Sequence, residues 1–126
     1  MVRLVVISLL LTGLVGCATN DGANNADADY GQYRDGSEHP AVLMLFKQSD
    51  NAVQAGNWSA AMTYLDQARR IEPRNPYVLY RQAWASAQSG DTERARQLLE
   101  RARVFVNKDD DLLNYRLYEL EFQLNP

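Results

Sequence analysis

The side chains that could do chemistry are few and scattered. Cys17 is the only thiol, His39 the only imidazole, and Asp109, Asp110 and Asp111 form the densest run of carboxylates. A lone Cys can form no intramolecular disulfide, so stability must come from packing. His39 stands beside Pro40 with no second His or Cys to complete a metal site. The three aspartates read better as the start of a helix, where negative charge favours the N-terminal dipole, than as a metal cluster. Neither a G-x-S-x-G elbow nor a glycine-rich phosphate loop following a strand is present. The chain therefore offers no catalytic constellation, no metal site and no cofactor site. It reads as a protein that binds rather than one that converts.

Cys17 gains meaning from what precedes it. Arg3 supplies a short basic start, residues 4–15 an apolar run, and Leu14-Val15-Gly16-Cys17 its end. This string resembles the lipobox of bacterial lipoproteins. The resemblance implies that residues 1–16 are a signal peptide and that the Cys17 thiol takes a diacylglyceryl group. Cleavage just before Cys17 then exposes an N-terminus that is acylated in turn. Three acyl chains anchor firmly, since two lipid signals already suffice. By the same analogy Ala18 directs the protein to the outer membrane, facing the periplasm. The bland readings are an ordinary secretory leader, an uncleaved anchor or a structural Cys. The apolar run is short of the roughly 20 residues that span a bilayer.

Residues 17–38 are rich in Ala, Asx and Gly with almost no larger aliphatic side chain. Such a stretch cannot bury enough apolar area to offset its ordering entropy, and it reads as a tether spanning on average roughly 25 Å. The formal charge of the whole chain is −3. This mild acidity lacks the clustered basic face that nucleic acid requires.

One small domain remains, residues 39–126, and it contains an internal repeat. Leu45, Gly56, Ala61, Leu65 and Ala68 recur 34 residues later as Leu79, Gly90, Ala95, Leu99 and Ala102. Both period and pattern resemble the tetratricopeptide repeat. The departures are Ser86, where the family usually has an aromatic, and Asn107 in place of the terminal Pro that Pro73 supplies in the first copy. Repeats at about 42–75 and 76–109 predict helices near 41–55, 58–71, from Pro76, and near 92–106. A capping helix at about 110–124 closes the array. Asn75-Pro76 supplies an N-cap followed by Pro at the first helical position. The expected fold is all-α, two helix-turn-helix repeats plus a C-terminal capping helix in a short solenoid.

The resemblance implies that the first helix of each repeat lines a concave groove. Its groove positions fall on Leu43, Phe46, Lys47, Asp50 and Gln54 in the first copy, and on Tyr77, Tyr80, Arg81, Trp84 and Gln88 in the second. Tyr77, Tyr80, Arg81 and Trp84 recur at spacings of three and four, one stripe of the residue types that dominate binding hot spots. The same rings could instead pack on neighbouring helices as core, and the sequence leaves both readings open. On the last helix Leu113, Leu117, Leu120 and Leu124 share one face at 100° per residue. Tyr115, Tyr118 and Phe122 point roughly the other way, a second apolar surface awaiting Tyr30 and Tyr33 of the tether, a second subunit or a partner. Arg94, Arg96, Arg101 and Arg103 alternate with acids and aliphatics and read as a solvated outer face.

Leader, lipobox, polar tether, two repeats and the R-R-I-E-P-R-N-P junction at 69–76 together resemble short tetratricopeptide lipoproteins that activate bifunctional class A penicillin-binding proteins. Membership would imply a non-enzymatic adaptor that stimulates peptidoglycan synthesis through a protein partner, without nucleic acid and with the membrane touched only by the lipid anchor. The alternatives are a pilotin-like chaperone for an outer-membrane assembly and a homo-oligomeric structural subunit of the envelope.

Overall fold

The computed structural model describes residues 36–126. The expected signal peptide, Cys17, and the expected tether up to residue 35 with Tyr30 and Tyr33 lie outside the described residues. Five helices follow one another: α1 (Pro40–Gln54), α2 (Trp58–Ile71), α3 (Pro76–Gln88), α4 (Thr92–Phe105) and α5 (Asp111–Leu124). No strand occurs among the described residues.

Local chemistry sets each boundary. The side chains of Asn57, Asn75, Asp91 and Asp110 accept backbone N–H bonds from Ala60 (3.0 Å), Tyr77 (2.8 Å), Arg94 (3.2 Å) and Leu113 (3.0 Å). These caps satisfy donors that a helix start otherwise leaves orphaned. The lone imidazole also serves as a cap: His39 Nδ1 accepts from the Ala41 amide at 3.2 Å. Gly56 and Gly90 stand at φ +71° and +89°, the left-handed conformation that turns α1 into α2 and α3 into α4. Around each, the next amide reaches back five residues, Asn57 to the Ala52 carbonyl (2.8 Å) and Asp91 to the Ser86 carbonyl (2.9 Å). This is the Schellman stop.

Packing runs between sequence neighbours, with α5 also touching α3. Ala61, Ala68, Ala95 and Ala102 are fully buried, the small side chains that let paired helices approach closely. One apolar cluster joins α1, α2 and α3 through Val42, Leu45, Phe46, Leu65 and Val78. The other joins α3, α4 and α5 through Leu79, Leu98, Leu99, Leu113, Leu117, Leu120 and Leu124. The four leucines of α5 thus seal the array as their spacing predicts.

One expectation needs correction. Gly36 to Glu38, read as the end of the tether, is fastened to the domain as a strap. Asn75 Nδ2 donates to the Gly36 carbonyl at 2.6 Å, and the Ser37 hydroxyl donates to Glu72. The α4 arginines, read as a solvated outer face, are exposed, and three of them also make contacts. Arg103 pairs with Glu121, Arg96 donates to the Leu124 carbonyl (2.9 Å), and Arg94 stands 3.6 Å from Asp66 of α2.

Candidate functional site

A cleft opens where α1, α3 and α5 meet. Ser49, Asp50 and Val53 line it from α1, Tyr77, Tyr80, Arg81, Trp84 and Ala85 from α3, and Arg116 from α5. The three-and-four spacing on α3 puts its aromatic stripe along one wall. Arg81 crosses the cleft, donating from Nη1 to Asp50 Oδ1 at 2.7 Å. Its guanidinium carbon also sits 4.3 Å from the centre of the Phe46 ring, within cation–π reach.

Of the predicted groove residues, Asp50, Tyr80, Arg81 and Trp84 converge on this cleft. Phe46 does not line it. Only 2% exposed, it belongs to the first core cluster, and Arg81 forms its lid. Leu43 is likewise half-buried against that core, while Lys47, Gln54 and Gln88 are exposed. Trp84 serves both purposes. Its ring lies 5.8 Å from that of Trp58, tilted by 58°, and it still borders the cleft.

Tyr77 ends the cleft and is heavily engaged. Its hydroxyl donates to Asp110 at the start of α5, and Gly36 of the strap rests on its ring, so close that a Cβ there would fall 1.9 Å from Tyr77 Cγ. Burial, then the hydrogen bond to Asp110, holds the Tyr77 phenol well above the ordinary tyrosine range. Burial also raises Tyr80, against the opposing pull of the Arg116 charge. Both phenols therefore present neutral hydroxyls at physiological pH.

Two contributors escape the sequence reading. Arg116 sits among the α5 leucines, and nothing in its spacing announces that it faces α3. Gly36 and Ser37 lie in an aperiodic stretch whose partners are 35 and 39 residues away. Tyr115, Tyr118 and Phe122 are 58%, 63% and 68% exposed, as expected of a second apolar surface. Among the described residues no group of His, Cys, Asp and Glu is placed to hold a metal ion, and no helix is long and apolar enough to cross a membrane.

A family model for the tetratricopeptide repeat matches residues 52–114, half of the chain. The chain belongs to the tetratricopeptide repeat family. Comparison with curated proteins and with solved structures gives no match. Tetratricopeptide repeats are characteristically non-catalytic scaffolds for protein–protein contact, so the cleft suggests a protein partner and an adaptor's role.

Proposed function

We propose that this tetratricopeptide protein is a non-enzymatic lipoprotein adaptor, held in the outer membrane by acylated Cys17 and facing the periplasm. Its partner is a bifunctional class A penicillin-binding protein, which it activates. The observation that carries the binding role is the convergence of Tyr80, Arg81 and Trp84 on one open cleft beside Asp50. Large amphipathic rings and a half-shielded guanidinium in a concavity are what binding hot spots are made of. The lipid anchor draws support from the leader and the position of Cys17. The choice of partner draws support from the architecture and the 69–76 junction. Activation follows if the groove binds the competent state of the synthase more tightly than the idle one, shifting its population.

Photo-crosslinking in living cells tests this, with the probe at Tyr80 or Trp84 and a control probe at Arg94 on α4. Capture of a peptidoglycan synthase from the groove but not from Arg94 is the expected outcome. Capture of an outer-membrane secretin would move the protein to the assembly chaperones. Self-adducts alone, or none, would remove the groove. The anchor is tested separately: Cys17→Ser should abolish incorporation of labelled palmitate.

The exposure of the α5 rings favours a second reading, a homo-oligomeric structural subunit. Sedimentation separates the two, since a stable dimer broken by Phe122→Glu and indifferent to Trp84→Ala belongs to the second.

A further inference from the structure

The rings of α5 need not be a separate surface, because the register that relates α1 to α3 continues onto α5. Leu45, Leu79 and Leu113 hold one buried position at 34-residue intervals, and Ser49, Ala83 and Leu117 hold another. All three helices thus turn the same positions inward. Counting outward from that shared face, Tyr115 takes the place of Lys47 and Arg81, Tyr118 that of Asp50 and Trp84, and Phe122 that of Gln54 and Gln88. At 100° per residue, these three α5 positions span about 60° of the helix surface. By register they extend the wall set by α1 and α3 with a third row, and all three rings are exposed. Arg116 is an independent link, an α5 side chain that already lines the cleft with Asp50, Tyr80, Arg81 and Trp84.

The charge in this wall indicates what it takes. Arg81 is compensated by Asp50 at 2.7 Å. Arg116 forms no ion pair among the described residues, so the residues lining the cleft carry one positive charge in excess, with Glu119 of the same helix acting on Tyr80 from outside the lining. An acidic segment would be attracted here and repelled by the rest of the molecule, which favours correct docking. We propose that one segment of a partner protein lies across α1, α3 and α5, with a carboxylate against Arg116 and a large apolar side chain on Tyr118 and Phe122. This rests on the groove reading above and extends it by naming both the chemistry of the ligand and a second half of its site.

The test is selection of 16-residue peptides from a random displayed library on the full chain in detergent micelles. Selected sequences should pair Asp or Glu with Leu, Phe or Trp. For one such peptide, Arg116→Gln and Phe122→Ser should each weaken binding about tenfold, and added salt should weaken it only when Arg116 is present. Phe122 is exposed, so Phe122→Ser should leave the helical circular dichroism unchanged. Binding lost in Trp84→Leu but kept in Arg116→Gln and Phe122→Ser would leave the groove standing and overturn its extension. Binding indifferent to all three would overturn both. A concentration-dependent dimer abolished by Phe122→Ser would assign the rings to a second copy and overturn the proposal.

Discussion

Gly36→Ala should destabilise the domain far more than its place ahead of the first helix suggests. Gly36 stands at φ +71°, where an L side chain costs about 1–2 kcal/mol. The new Cβ would also fall 1.9 Å from Tyr77 Cγ, and the ring has little freedom to yield because its hydroxyl is tied to Asp110. The chain has a cheaper escape, which is to undock the strap. Undocking forfeits the Asn75–Gly36 and Ser37–Glu72 hydrogen bonds and the cover over the ring. At about 1 kcal/mol net for each bond plus a little packing, the cost saturates near 2 kcal/mol, roughly 10 °C in Tm for a domain of this size. Gly56→Ala is the control. Its φ is the same +71°, but its Cβ would meet nothing within 4 Å, so only the same conformational cost of about 1–2 kcal/mol applies and nothing undocks. Urea unfolding gives both values, and amide exchange at residues 72–77 should accelerate in Gly36→Ala alone. Equal losses in the two variants, with unchanged exchange at 72–77, would refute the docked strap.

Three further outcomes follow from the same contacts. Ser86 is buried with its hydroxyl unpartnered, so Ser86→Ala should stabilise by about 1 kcal/mol, combining relief of that group with the better helix propensity of Ala; a clear loss in urea would show that the hydroxyl has a partner. A double-mutant cycle of Arg81→Met and Asp50→Ala should return about 0.5–1 kcal/mol that shrinks in high salt, because the two side chains are 22% and 55% exposed; a coupling indifferent to salt would contradict an ion pair open to solvent. Tyr77 and Tyr80 hold their protons more tightly folded than unfolded, so the stability they lend is complete below about pH 10 and is lost as pH rises through 10 toward the folded values. The urea midpoint should therefore fall above about pH 10, and less steeply in Tyr77→Phe; an identical pH dependence in that variant would refute the assignment.

What the sequence discloses about this fold is what depends on local chemistry repeated in register. A helix stop at Gly56 needs a residue free to adopt positive φ, and Gly90 repeats it. Close helix pairs need small side chains, and Ala61, Ala68, Ala95 and Ala102 supply them. The α5 leucines declare their face by spacing alone. None of this requires knowledge of a distant neighbour. The candidate site is different, because each of its ambiguities is settled by a side chain on another helix. Phe46 and Tyr80 occupy equivalent positions in the two repeats, yet one is core and the other lines the cleft. The difference is Arg81, which reaches back across the repeat boundary to roof Phe46. Gly36 is legible only once Asn75 and Tyr77 are brought beside it.

Trp84 explains why the choice between groove and core could not be made from the stripe itself. A long array can assign separate layers of side chains to packing and to binding. With two repeats and a cap, the wall of the groove is also the outer layer of the core. The Trp84 ring packs against Trp58 and borders the cleft at the same time. Truncating it should therefore lower stability and partner affinity together, and a binding loss in Trp84→Ala is interpretable only beside its unfolding curve. The clean probes of the groove are the side chains that the core does not need. Arg116 and Phe122 meet that condition, and they belong to the helix whose register, rather than whose composition, brings it into the site.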